Sequence, residues 1–541
     1  MGYTTITFLI FTLLVVAAYY MFPVKKYQWT VLLAASYVFY LWASWRYVIF
    51  ILITTYTVYF AALAMYRNIK EAKETVAQHK KEWDKEQKKQ YKESMKKKRK
   101  RLLILVLVLN LGILVFLKYF NLFAGGLNTL LGFTGIEASV PILKLFLPLG
   151  ISFYTFQSTG YLIDVYREKI EPEINPAKYA LFVSFFPQII QGPISFYDQL
   201  AHQLYAEHSF SYKNLKYGAF LMLWGYLKKM VIADRAVSLI NTVTADYRQY
   251  SGTVILITVL VYALQLYADF SGGIDISRGF AEILGIQMAE NFKRPYFAVN
   301  INDYWRRWHI TLGAWMKNYV FYSLAMSKRF LKMGKDLKQK YGSNPVGAHV
   351  AKVLPTGIAS FITFLSVGIW HGANMKYVAF GIWNGGVIMV SILMQPLFDK
   401  AVAKLKIRTK SLWWKAFQIL RTFVIVLIGY MFDIGANFTS AMHMLGRCVT
   451  DFSLNKCKVM EQITSCGLTL EDYKLLLIMT VLIFIVSLIQ ERHPDTTMRA
   501  LLEQKHPKMQ WVVLFAGLAM IAIFGMYGPG VSASDFVYMQ F

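Results

Sequence analysis

Of the nine histidines, only His309 and His371 lie among apolar neighbours; His79, His202, His208, His349, His493 and His506 fall in polar stretches, and His443 in a mixed one. A neutral imidazole accepts a proton near pH 7, and one held at membrane depth must be hydrogen-bonded there, so both are candidates for acid–base chemistry. His371 sits in Ser366-Val367-Gly368-Ile369-Trp370-His371-Gly372-Ala373-Asn374, closing an apolar run begun at Thr356. The competing reading is a structural histidine bonded to a neighbouring helix. His309 ends Asn302-Asp303-Tyr304-Trp305-Arg306-Arg307-Trp308-His309. If this stretch is one helix, Asn302, Arg306, His309 and Gly313 share one side, while Trp305, Trp308, Leu312, Trp315 and Tyr319 form an apolar stripe on another. Arg306, Arg307 and Lys317 would each cost about 3 kcal/mol at the centre of a lipid-facing span, so the polar face must meet water, a buried acid or substrate. Asp303 and Arg307, four residues apart, suit mutual neutralisation. An interfacial helix with a tryptophan belt explains the arginines and tryptophans as well, but His309 less so.

These residues are set in an apolar chain. Its 541 residues are 56% hydrophobic, and the mean hydropathy is +0.39, which excludes an ordinary soluble enzyme. Runs such as Thr4 to Phe22, Val31 to Trp45, Leu102 to Phe120, Val254 to Tyr267, Thr356 to Trp370, Phe417 to Phe432, Leu475 to Ile489 and Val512 to Tyr527 approach the roughly 20 residues that cross a bilayer. The expectation is an all-α polytopic membrane protein of about ten to twelve transmembrane helices. Met1 to Phe22 lacks a basic start and a small-residue cleavage site, and reads as a retained span. Cys448, Cys457 and Cys466 share one late loop without zinc-type His spacing. A Cys457–Cys466 disulfide requires that loop to be extracellular, and three solvated or core thiols are the favoured reading.

Polar groups break the apolar pattern elsewhere. Gly150, Ser152, Gln157, Ser158, Gly160 and Asp164 interrupt Pro148 to Tyr166. Phe185 to Phe196 contains Phe185-Phe186-Pro187-Gln188 and Gln191-Gly192-Pro193-Ile194. Both suit re-entrant segments buried within protein or lining a cavity, and a simple proline kink in a packed helix is the competing reading, above all for the second. Tyr267-Ala268-Asp269-Phe270-Ser271-Gly272-Gly273 ends a long apolar run, followed by Asp275 and Arg278.

The net charge is +27, and Arg67 to Arg101 alone holds 15 Lys and Arg against 6 Asp and Glu. The positive-inside rule keeps this insert cytoplasmic, and Lys328 to Lys340 with it. Pairs such as Asp84 with Lys88 and Glu93 with Lys97 suit a solvated helix, and Lys96 to Arg101 would lie against anionic membrane lipids; this is favoured over docking of an acidic carrier protein. The charge abuts spans without any recognition module, so nucleic acid is not an expected partner.

Taken as a set, Tyr267-Ala268-Asp269-Phe270-Ser271-Gly272, Asp303-Tyr304-Trp305-Arg306-Arg307-Trp308-His309, Trp370-His371-Gly372-Ala373 and Phe380-Gly381-Ile382-Trp383-Asn384-Gly385 match in order and spacing. The chain thereby resembles the membrane-bound O-acyltransferase (MBOAT) superfamily, in the branch of the alginate O-acetylation and teichoic-acid D-alanylation membrane proteins. The resemblance covers Leu147 to Gly386 firmly and the flanking spans loosely. It implies a ring of tilted helices around a thin centre where two funnels approach, with His371 catalytic and His309 supporting. Asn302, Arg306, Trp305, Trp370, Asp269, Ser271 and Gln188 are the candidate substrate-binding residues. Three departures bear on the substrate: Gln191 stands where Arg is frequent, Asn384 where His is common, and the basic insert is unusually long.

The resulting expectation is an O-acyltransferase, in particular an O-acetyltransferase, with no bound cofactor or metal. Its donor would be a cytoplasmic acyl thioester, acetyl-CoA or a loaded carrier, and its acceptor a cell-wall or exported polysaccharide. Attack of an alcohol on a thioester needs a base of pKa near ambient, a role for His371, and donors for the oxyanion, a role for the polar face around Asn302, Arg306 and His309. No Gly-x-Ser-x-Gly elbow is present, and the resemblance implies an extracytoplasmic Ser-hydrolase-like partner that finishes the transfer. The expected organisation is N-terminal spans 1–66, a basic cytoplasmic insert 67–101, a catalytic core 102–386, and C-terminal spans 387–541 with a cysteine-containing loop 434–472, in the bacterial plasma membrane. Two rivals stand: D-alanyl transfer to teichoic acid from an acidic acyl carrier protein, and a polysaccharide or lipid transporter, for which no inverted repeat is seen.

Overall fold

The computed structural model describes residues 2–134, 139–143, 147–189 and 191–527. Among them the chain is helical, with no strand beyond one isolated bridge, Phe292 to Trp308. Eight helices among the described residues are long and apolar enough to cross a membrane, from Trp45–Gln78 to Pro507–Phe524, and Ile6–Met21 is a shorter apolar one. The sequence expectation of ten to twelve also counted short runs such as Val31 to Trp45, which belongs to the 17-residue helix Gln28–Ser44. The protein is a multi-pass membrane protein. Its chain divides into two compact units, Met1–Ala219 with Ser277–Ala289, and Phe220–Ile276 with Glu290–Phe541. Residues 528–541 of the expected C-terminal segment lie outside the described residues.

In the first unit, Thr5 caps Ile6–Met21, and rings of Phe8, Phe39, Phe186 and Phe280 meet edge-on or tilted in the apolar centre. The segment expected to be broken by polar residues, Ile151–Tyr166, is an unbroken helix, buried along nearly its whole length. Two of its polar side chains bond to carbonyls without breaking it: Thr159 donates back to the Thr155 carbonyl at 2.7 Å, and Gln157 to the Phe182 carbonyl at 2.9 Å. Gly150 starts it at φ +67, and a Cβ there would lie 2.6 Å from the Ile189 carbonyl oxygen, so only glycine fits. The second segment does break: helix Pro176–Ser184 stops at Phe185, and a single turn, Phe186–Ile189, follows.

The basic insert forms the end of Val48–Gln78 and the start of Lys85–Phe133. At 49 residues the latter is about 70 Å long, more than twice the hydrocarbon thickness, so its charged N-terminal third extends beyond the bilayer. Asp84 does not pair with Lys88. Its carboxylate caps the helix together with Gln87, and Lys88 donates instead to the Lys80 carbonyl at 2.7 Å, because a cap satisfies backbone N–H groups that an exposed ion pair would leave to water.

In the second unit, Pro345–His371 and Met375–Leu393 form a tight hairpin whose turn is capped by Asn374. The helices touch backbone to backbone: a Cβ on Gly368 would fall 2.3 Å from the Tyr377 carbonyl oxygen. This places His371 at the closed end of the hairpin. Gly252–Ile283, which begins in this unit, runs unbroken through Ser271-Gly272-Gly273, where the apolar run ends. All three cysteines are free.

Candidate active site

The stretch around His309 is two helices, not one. Ile301–Arg307 and Ile310–Met316 meet at Trp308, which is extended, and His309, which is left-handed at φ 46, ψ 53. A non-glycine residue there costs about 1 kcal/mol or more and persists only where its surroundings impose it. Here the segment 291–293 does so: Lys293 N–H donates to the Arg307 carbonyl at 2.9 Å, and Ile310 N–H to the Asn291 carbonyl at 3.0 Å. Asn291 Oδ1 accepts from Thr311 N–H at 3.0 Å and Thr311 Oγ1 at 2.9 Å.

The same oxygen lies 3.2 Å from His309 Nδ1. Since Oδ1 can only accept, the ring donates from Nδ1 and the lone pair of its neutral form sits on Nε2. His309 is 2% exposed, with its edge-on neighbour Phe270 at 4.8 Å. It lies outside the long spans, and burial, then the nearby His371, hold its pKa well below the usual histidine range, so it stays neutral. Asn291→Leu should therefore lower stability by roughly 1–3 kcal/mol through the lost acceptor for Thr311 and His309. Thermal unfolding of the detergent-solubilised protein tests this, and an unchanged midpoint would refute it.

His371 is half-buried, between Trp370 at 5.1 Å, Phe380 at 5.4 Å and Tyr377 at 6.0 Å. Both histidines line one cavity of about 30 Å³, with Trp305, Trp308, Leu266 and Leu312 as apolar walls and Asn384, Tyr304, Tyr430 and Asp433 as polar ones. That volume suits about a water molecule or the reacting end of a substrate, not a whole one. Asn384 Oδ1 accepts from Trp305 Nε1 at 3.2 Å, fixing that wall. Tyr304 and Tyr430 hydroxyls are 2.7 Å apart, Tyr296 reaches Tyr430 at 3.2 Å, and Tyr262 donates to Asp433. Tyr430 and Asp433 come from Leu412–Ile434, which carries no motif that sequence reasoning could have singled out.

The remaining candidates are placed elsewhere. Asn302 and Arg306 are exposed and do not line the cavity, because the break at His309 sets that histidine beside the Tyr304 and Trp305 face of their helix instead of the face they share. Arg307 pairs with Asp303 at 3.1 Å, as the spacing suggested, and with Glu491 at 3.0 Å, which also takes Arg294 at 2.9 Å. Trp370 is buried beside His371. Gln188 belongs to the first unit and donates to Gln157 Oε1 at 2.9 Å. Asp269 and Ser271 hold two buried lysines that sequence reasoning missed. Lys229 Nζ is 2.7 Å from Asp269 and 2.9 Å from Asp234, and Lys228 Nζ is 2.6 Å from Asp275 and 2.8 Å from Ser271. The wide turn Leu227–Ala233 carries both lysines, and such turns let successive residues face inward. Among the described residues no three His, Cys, Asp or Glu side chains gather at metal-binding range.

The family model for the membrane-bound O-acyltransferases matches residues 8–335, taking in His309 and stopping before His371. The chain belongs to this family. Among MBOAT relatives, it is 32% identical over 344 residues to the probable alginate O-acetylase AlgI of Pseudomonas syringae, across 64% of this chain and 60% of that protein. It is 30% identical to the peptidoglycan O-acetyltransferase of Helicobacter pylori, across 63% of each. It is 27% identical to the teichoic acid D-alanyltransferase of Bacillus subtilis, across 54% of this chain and 69% of that protein. The match thus spans less than two thirds of the length of the alginate and peptidoglycan relatives.

Proposed function

We propose that the chain is a membrane O-acyltransferase of the acetyl-transferring kind, with His371 as general base. The observation that carries this reading is the meeting of His309 and His371 at one cavity in a chain matched to the MBOAT family. In the reaction, a hydroxyl oxygen attacks the thioester carbonyl, the C–O bond forms and the C–S bond breaks. The hydroxyl proton passes to His371 and then to the departing thiolate. Neutral His309, held by Asn291, orients the reacting groups. The similarity to proteins named for alginate and peptidoglycan O-acetylation supports acetate over D-alanine and a polysaccharide acceptor. The donor is a cytoplasmic acetyl thioester, the basic insert 67–101 faces the cytoplasm of a bacterial plasma membrane, and a Ser-hydrolase-like partner outside completes delivery. The test is ester-linked acetate and D-alanine released by mild base from envelopes of cells lacking and regaining the chain. Acetate lost and regained is expected. D-alanine responding instead would replace acetyl by D-alanyl transfer, and neither responding would end the proposal.

A further inference from the structure

The first unit contains a second recess, between the end of Val48–Gln78 and the start of Lys85–Phe133, of about 530 Å³. That is within the range of small-molecule clefts. Seven cations line it, among them Lys73, Lys88, Lys92 and Arg99, against two carboxylates, Glu93 and Glu168. So many like charges in one concavity repel each other and favour an entering polyanion. Its floor is built rather than incidental. Arg99 is 8% exposed, and Glu168 bridges it to Lys73 at 3.2 Å on each side. Glu168 does so from a left-handed backbone, φ 59, a strained conformation that surrounding contacts must hold. The Glu168 carboxylate thus occupies an anion position between two cations. Arg99 Nε–H is shielded from solvent, so an entering oxyanion meets the lysines that line the recess rather than this atom.

The position of the recess separates two sources of phosphate. The apolar run of the second helix begins at Leu102. Arg99 and Lys96 therefore lie at the headgroup level, whereas Lys85 is about 20 Å further along the axis than Arg99 at 1.5 Å per residue. A lipid headgroup reaches only the floor, and the outer lysines are accessible only to a soluble ligand. We infer that this groove docks the clustered phosphates of the soluble donor, the phosphorylated nucleotide end of a coenzyme A thioester. This rests on the thioester-donor reading above and adds a binding site to it.

The probe is coenzyme A, titrated onto the full chain in nanodiscs of phosphatidylcholine alone. Lys88→Gln/Lys92→Gln, the first half-buried and the second exposed, is expected to weaken binding about tenfold, the effect of losing two charge-assisted contacts discounted for solvent. On the unmodified chain, dephospho-coenzyme A should bind more weakly than coenzyme A. Equal affinity of the double variant and the unmodified chain would overturn the groove. At a salt concentration that screens the anionic surface, nanodiscs containing phosphatidylglycerol should leave the affinity within about twofold of that in phosphatidylcholine at the same salt, and its collapse there would show that lipid headgroups fill the site, which also overturns it. The envelope acetate assay separates the two readings. Acetate that depends on His371 beside coenzyme A binding indifferent to Lys88 and Lys92 would remove the groove and leave the acyltransferase standing. Coenzyme A binding through the groove without any envelope acetate that depends on the chain would remove the proposed reaction and leave the site.

Discussion

Replacement of His371 by alanine is expected to reduce envelope O-acetylation at least about a hundredfold, the lower end of what a positioned base contributes. The side chain closes the Pro345–His371 helix and reaches the cavity from a half-buried position, so a substrate hydroxyl can approach it. Buried His309 is held by Asn291 and cannot swing across to take its place. Two controls separate chemistry from folding. His371→Gln keeps a planar polar side chain but cannot take up the proton, so it should be as inactive as alanine while reaching normal membrane abundance. His309→Gln should be milder, since glutamine retains a donor toward Asn291. Activity of His371→Gln above about a tenth of the unmodified chain, at matched abundance, would make His371 structural. A transporter would be indifferent to either change.

The histidine pair was legible in the sequence because apolar surroundings make an imidazole conspicuous, and the motifs around it carried the family. The helical, membrane-spanning character followed from the apolar runs, since a bilayer admits few alternatives. What escaped was local geometry. The hinge at Trp308 and His309 is imposed by Asn291 and the 291–293 segment, and nothing within 302–309 announces it, so a continuous helix was the natural assumption and it misplaced Asn302 and Arg306. Ile151–Tyr166 looked broken because glycine, serine, glutamine and aspartate were counted as disruptive, whereas a polar side chain that donates to a buried carbonyl, as Gln157 does to Phe182, leaves a helix whole. Tyr430 and Asp433 are far in sequence from both histidines and lie in an ordinary apolar helix, so only tertiary packing reveals them at the cavity.

The buried lysines give the largest expected effect on stability. Lys229 is 1% exposed and its ammonium serves both Asp269 and Asp234. Lys229→Met keeps the bulk but removes the cation both carboxylates share, and breaking a buried pair from one side costs about 3–5 kcal/mol. The unfolding midpoint of the solubilised protein should fall by on the order of 5 °C or more, with lower membrane yield. The converse follows from the same physics. Taking charges out of water is itself costly, so removing all three together, Lys229→Met with Asp234→Asn and Asp269→Asn, should recover much of the loss. If the single and triple variants are equally destabilised, the cluster acts through packing rather than charge. If the triple variant is stable yet makes no envelope acetate, the cluster has a part in the reaction beyond stability, because the helix that carries Asp269 also supplies Leu266 to the cavity wall and Phe270 to the ring of His309.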